Sequence, residues 1–188
     1  MNLPDRGPGQ VRLGVSIEIP APYGAELQAS RAGFGDPLAA TVPPHVTVVG
    51  PTVVDADQMP AVHAHLEAAC AGRAPFRMHL RGSATFRPVS PVVFVQVVEG
   101  IAECEDLESG VRSGMLDQEV RFNYHPHVTV AHDLDDAALD RAFAEMADYE
   151  AVFDVTHLHL YEHGDDGVWR PVRAFPLGAE AASATRTS

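Results

Sequence analysis

Four residues, carried in two copies of one motif, are the first candidates for chemistry. Pro-His-Val-Thr-Val stands at 44–48 and again at 126–130. A five-residue identity inside a chain of this length is rare by chance, so it reads as an internal repeat. Val- and Thr-rich runs favour strands, and successive side chains of a strand face opposite sides. His45 and Thr47 therefore share one face while Val46 and Val48 take the other, and His127 and Thr129 stand likewise against Val128 and Val130. Each strand is apolar behind and presents an imidazole and a hydroxyl in front, roughly 7 Å apart. One such strand would be ordinary, since a lone strand histidine is more often a half-buried polar residue than a catalyst. Two copies in matching positions can face each other across one groove. A neutral imidazole then takes a proton from water while a protonated partner gives one to a leaving oxygen. The two hydroxyls suit the non-bridging oxygens of a phosphate. The chemistry that fits is hydrolysis of a phosphodiester, with no metal or cofactor required.

The elements that must position these strands are legible from periodicity. "VRLGVSIEI" at 11–19 alternates as a strand with one buried face, ended by Pro20 and Pro22. A short helix follows from Tyr23 and closes at Gly33 and Gly35. The first motif strand is expected at 45–49, stopped by Gly50-Pro51, and Asp57 is a candidate cap for a helix at 58–71. Strands at 76–86 and 91–99 come next, then a helix at 101–115 and the second motif strand from 127 to about 131. A helix is expected at 135–149, with Leu134, Ala138, Phe143 and Met146 as its apolar stripe. Strands at 151–162 and 167–175 flank the turn "HGDDG". Each half thus runs motif strand, helix, two strands, and the pattern predicts an α+β fold of two similar lobes. Residues 1–178 are expected to form one bilobal domain with intertwined lobes, and the small, polar stretch 179–188 a disordered tail.

Composition narrows the partners. The chain carries 26 acidic residues against 13 basic ones, all arginine, for a net charge of −13. Grip on a long nucleic acid by its phosphates needs a basic stripe, and no basic run occurs. A small nucleotide or an RNA terminus is the expected substrate rather than a long duplex. The N-terminal decapeptide has neither a basic nor an apolar stretch, and no apolar run reaches membrane-spanning length, which points to the cytoplasm. Cys70 and Cys104 match no disulfide or metal spacing and read as free, buried thiols.

Other residues have weaker cases. Phe86 and Arg87, in "TFRPVSP", are placed at a cleft rim, where they could stack on a base and pair with a phosphate. Tyr124, just before the second motif, is a third candidate substrate contact. Arg77, His79 and Arg81 share a strand face that is either cleft or plain solvent. His125 with His127, and His157 with His159 near His163, have spacings that could ligate zinc, so a metal-dependent hydrolase is the rival enzyme reading. No acidic ligand stands at a recognisable spacing beside them, and a metal site gives no reason for the threonines to recur. His63 and His65 are expected at the surface of their helix. A non-catalytic nucleotide or RNA-end binder is the remaining alternative, though pure binding would not require a proton donor and acceptor on opposite sides.

The doubled "HVTV" at 45–48 and 127–130 resembles the paired His-x-Thr/Ser-x signature of the 2H phosphoesterases, which include the 2′-5′ RNA ligases and cyclic nucleotide phosphodiesterases. The resemblance covers nearly the whole chain. It implies a cleft between two pseudo-symmetric antiparallel sheets, helices on their outer faces, and the four motif residues at the cleft floor. It also implies opening of 2′,3′-cyclic or 1″,2″-cyclic phosphates, cleavage of 2′-5′ linkages, or the reverse ligation. His45 and His127 would be the acid/base pair, in either order, and Thr47 and Thr129 the phosphate holders.

Overall fold

The computed structural model describes residues 3–118 and 122–178, so the expectation for the tail at 179–188 lies outside the described residues. Among the described residues eight strands and four α-helices follow one another along the chain. The strands are β1 (Gln10–Glu18), β2 (His45–Asp55), β3 (Phe76–Thr85), β4 (Val92–Glu99), β5 (His127–His132), β6 (Glu150–Val155), β7 (His157–His163) and β8 (Trp169–Pro176). The helices are α1 (Tyr23–Gly33), α2 (Met59–Cys70), α3 (Ile101–Val111) and α4 (Asp136–Glu145). The fold is α+β, as the periodicity predicts. Among the described residues no helix is long and apolar enough to cross a membrane.

All pairings are antiparallel, in the order β6-β3-β4-β5-β2-β1-β7-β8. The two expected sheets are the two four-stranded halves of this one sheet. They meet where β2 and β5 touch, through the single pair Val46↔Val128. Exchanging the halves maps β5 onto β2 and β4 onto β1, and the registers agree: Glu18 stands opposite His45 as Gln96 stands opposite His127. The halves are not sequence halves. β3 and β4 follow β2 in the chain yet lie in the half of β5, while β7 and β8 return to pair with β1.

Several boundaries differ from the sequence expectation for identifiable reasons. Gly50-Pro51 does not stop β2. The ladder skips there, running from Val15↔Val49 to Leu13↔Thr52, and a bulge tolerates a residue with no N–H to give. Asp55, not Asp57, opens the turn before α2, its N–H donating to Gln58 Oε1 at 3.2 Å. The expected strand at 151–162 is two: β6 pairs with β3 and β7 with β1, so the chain crosses between halves at Thr156. In α4 the buried stripe is Leu139, Ala142 and Met146, whereas Phe143 is 40% exposed. Asp135 caps this helix, accepting from the Ala138 N–H at 2.8 Å.

The apolar faces of both halves feed one core. Leu13, Val15 and Ile17 of β1, Val46 and Val48 of β2, Leu80 of β3, Val95 of β4, and Val128 and Val130 of β5 are all buried, and they join one cluster with Leu27, Leu66, Leu107 and Leu139 from the four helices. The motif strands thus turn their valines to the helices, which leaves the histidines and threonines on the opposite face.

Candidate active site

Both motif strands carry the same irregularity just past the threonine. In β2 the ladder slips between Ser16↔Thr47 and Val15↔Val49; in β5 it slips between Phe94↔Thr129 and Val93↔Ala131. Consecutive residues are therefore buried, Val48 with Val49 and Val130 with Ala131. A bulge bends its strand and re-aims the side chains beside it. The repeat is structural as well as textual.

Each histidine is fixed in the same way. His45 Nδ1 lies 2.7 Å from the carbonyl of Pro43, and His127 Nδ1 lies 2.7 Å from the carbonyl of His125. A carbonyl only accepts, so Nδ1 carries the proton in each ring, and Nε2, at the far corner, is left with a lone pair. His45 Nε2 meets Thr47 Oγ1 at 3.1 Å, where the hydroxyl donates. Both imidazoles sit below the ordinary histidine range. Loss of water is the main cause for His45, offset by the Pro43 carbonyl, with the Arg31 guanidinium pushing further down. His127 falls to about 4, again chiefly through burial; its carbonyl partner raises it, while His125 and His45 lower it. The burial has a visible source, since the rings of Phe86 and Phe94 each stand 5.0 Å from that of His127. His45 also opposes protonation of His127, so a proton on one ring makes a proton on the other harder to add.

One cavity of about 550 Å³ brings most of the expected residues together: His45, Thr47, His127, Thr129 and Phe86 all line it. Phe86 is there as a wall, packed on Phe94 at 4.3 Å as well as on His127. Arg87 does not line the cavity. Its guanidinium pairs with Asp136 at 3.4 Å and Asp140 at 2.7 Å on α4, which hold it on the outer side of the turn. Tyr124 does not line it either. Its hydroxyl donates to the Thr47 carbonyl at 2.9 Å, and burial pushes its phenol well up, so it braces the approach to β5 against β2. A smaller cavity of about 60 Å³ shares Val42, His45 and Thr47 and is walled by Tyr161 and Trp169. There Gly14 gives Trp169 its place, since a Cβ at 14 would stand 3.2 Å from the indole.

The remaining candidates separate from the cleft. Arg77 pairs with Glu99 at 3.7 Å and His79 with Glu150 at 2.8 Å, both on the sheet surface. His157 and His159 line a different cavity with Glu18 and Asp154. Among the described residues no group of three or more His, Cys, Asp or Glu stands in a metal-holding arrangement, so the rival zinc reading finds no donor set. His63 and His65 are half-buried rather than superficial, and His65 Nε2 donates to the Val111 carbonyl at 2.8 Å. Burial pushes the Cys70 thiol up to about 11 and the Cys104 thiol to about 12, which keeps both protonated and inert as nucleophiles.

Two cationic or titratable cavity residues escaped the sequence reading. Strict alternation from His127 and Thr129 would put residue 131 in the groove, but the bulge puts His132 there instead. Arg31 reaches the groove from α1, where nothing in "LQASRAGFG" distinguishes it from a surface arginine.

Both the sequence and the fold have counterparts among known proteins. The family model described as "2'-5' RNA ligase superfamily" matches residues 19–167. The chain belongs to this superfamily. It is therefore a phosphoesterase of the 2H type, and relatives found by sequence carry names of the same kind. A Bacillus mycoides protein named "Putative phosphoesterase" is 32% identical over 149 residues, covering 77% of this chain and 85% of its own. A similarly named protein of Bacillus licheniformis is 32% identical over 148 residues, covering 77% and 86%. Among solved structures, Escherichia coli LigT complexed with NADP+ aligns with a TM-score of 0.65 at 19% identity, over 90% of this chain and 99% of LigT. TT0787 of Thermus thermophilus aligns with a TM-score of 0.59 at 21% identity, over 90% and 99%. At such identities these two support the shared 2H fold.

Proposed function

We propose that this 2H phosphoesterase hydrolyses a small cyclic phosphodiester, or a 2′-5′-linked nucleotide or RNA end, by acid/base catalysis between His45 and His127. The observation that carries the reading is the matched pinning of the two rings, each donating from Nδ1 to the carbonyl two residues upstream and each lining the same cavity. In the singly protonated pair, the neutral Nε2 removes a proton from water as the water oxygen bonds to phosphorus. The imidazolium Nε2–H gives its proton to the departing ribose oxygen, and the P–O bond breaks. With the 5′-hydroxyl of a second strand in place of water, the same two transfers bond that oxygen to the phosphorus of a 2′,3′-cyclic phosphate. The 3′-oxygen is released with the acid's proton, which gives ligation. Thr47 and Thr129 donate to the non-bridging oxygens as charge develops on them. The scheme assigns the protein's own groups to both proton transfers, so no metal step is needed. Nucleotide size agrees with the charge of −13, which opposes a long polyanion, and with the ligands of LigT structures, which include 3'-AMP and ATP.

The test is a panel of 2′,3′-cyclic nucleotides, a 1″,2″-cyclic phosphate and 2′-5′-linked dinucleotides, assayed in the presence of EDTA. At least one is turned over, and chelation leaves the rate unchanged; loss of activity restored by zinc would contradict the mechanism. The pH profile adds a second reading. Both histidines are depressed in the empty groove, so the acid must be protonated against that tendency and kcat/KM falls as pH rises through neutrality. It also falls toward pH 4 as the base is protonated, which gives a bell lying below 6.5. A bound phosphodiester anion favours the imidazolium, so the alkaline limb of kcat lies at higher pH than that of kcat/KM. A profile flat from pH 5 to 8 would contradict a two-histidine scheme.

A further inference from the structure

The pseudo-symmetry of the groove fails past the bulge, and the failure there is chemical. Past the bulge, β5 carries His132 where β2 carries Gly50. Next to His132, Arg31 enters the cavity from α1. Its residue is only 3% exposed, yet it is built into the wall rather than merely trapped. Nε donates to Asp36 Oδ2 at 2.7 Å and Nη1 to the Val42 carbonyl at 3.2 Å. Asp36 is held in turn, its Oδ1 accepting from the Leu38 N–H at 2.9 Å. Two edges of the guanidinium are thereby spent on fixing it, and Nη2 has no protein acceptor among the described residues. Arg31 is the one arginine that lines this cavity among the described residues, in a protein whose acids outnumber its bases twofold.

We infer that Arg31, positioned by Asp36 and accompanied by His132, forms a second anion subsite that takes a phosphate monoester of the substrate other than the reacting phosphodiester. This rests on the proposed function of the groove and deepens it: the substrate class becomes a nucleotide with two phosphates. The separation supports the assignment to a second group. His132 lies three residues beyond Thr129 along β5, past the bulge, so it stands farther along the strand than the groups proposed to hold the reacting phosphodiester. A rigid guanidinium with free N–H groups matches a phosphate better than a mobile surface side chain would, because its ordering cost is already met. The carboxylates nearby are engaged, Asp36 with Arg31 and the solvent-facing Asp133 with His132 at 3.2 Å.

Calorimetric titration with adenosine 3′-monophosphate, adenosine 3′,5′-bisphosphate and adenosine 2′,5′-bisphosphate tests this without requiring turnover. At least one bisphosphate binds tenfold or more tighter than the monophosphate, the scale of one charge-assisted hydrogen bond. In Arg31→Gln/Asp36→Asn, which keeps a neutral side-chain pair and avoids an unpaired buried carboxylate, that advantage shrinks to about twofold or less, with the folded state verified by circular dichroism. Equal affinity of the wild type for all three ligands would overturn the subsite while leaving the catalytic reading intact. So would an undiminished advantage in the folded double variant. Equal weakening of all three ligands in that variant would also overturn it, by assigning Arg31 to the phosphate between the histidines. Binding of none of the three would count against the nucleotide reading of the whole groove, and the subsite would fall with it.

Discussion

Replacing either His45 or His127 by alanine lowers kcat by about 10²–10⁴-fold, the usual contribution of one positioned acid or base. The double variant falls little further, because either proton transfer is useless without the other. Alanine also opens space beside Phe86 and Phe94, so asparagine provides the sharper control. Asn at 127 can still donate to the His125 carbonyl as Nδ1 does at 2.7 Å, but it neither gives nor takes a proton at the Nε2 corner. His127→Asn therefore loses as much activity as His127→Ala while keeping more of the wild-type stability. Retained turnover in either asparagine variant would assign its histidine to structure and end the two-histidine mechanism. Thr47 and Thr129 should matter less, since each supplies one hydrogen bond to an oxygen that keeps others.

The second large effect falls on stability. The Arg31 and Asp36 side chains are 4% and 0% exposed, and they form the most deeply buried ion pair among the described residues. Arg31→Met removes the cation and leaves the carboxylate in the dark. Breaking one side of such a pair costs about 3–5 kcal/mol, which for a chain of this size lowers Tm by about 6–20 °C. Asp36→Asn added to Arg31→Gln recovers most of the loss. A melting curve for Arg31→Met within a degree or two of wild type would mean that the pair contributes little and that the guanidinium is free to move.

Much of the site was legible because the motif is local. Strand alternation alone put His45, Thr47, His127 and Thr129 on one face, and the repeat set those faces together; all four line one cavity. What escaped depended on register and on distant packing. His132 breaks the period of two because β5 bulges after Thr129, and a bulge leaves no mark in "HVTVAH" beyond two small apolar residues in succession. Arg31 owes its position to a carbonyl at Val42 and a carboxylate at Asp36, each set by the short turn that follows α1. Arg87 shows the opposite error. Its place in a turn beside Phe86 suggested a phosphate contact, but Asp136 and Asp140 of α4, far along the chain, take its guanidinium. The fold was read correctly as α+β with two similar halves. The crossover at Thr156 does leave a mark, since the apolar alternation shifts phase there from Ala151, Phe153 and Val155 to Leu158 and Leu160, and reading 151–162 as one strand passed over it.

The proposed mechanism requires that two imidazoles of opposite halves hold one phosphate between them. Long-range proton–nitrogen correlation spectra of the imidazole nitrogens, recorded across pH with and without adenosine 3′-monophosphate, test it most directly. In the free protein both His45 and His127 should appear as neutral rings protonated at Nδ1 near pH 7, as the Pro43 and His125 carbonyls require. On saturation with the nucleotide, the Nε2 signals of both rings shift together and both titrations move to higher pH, because the anion favours each imidazolium. A nucleotide that binds while only one ring responds, or neither, would contradict the account.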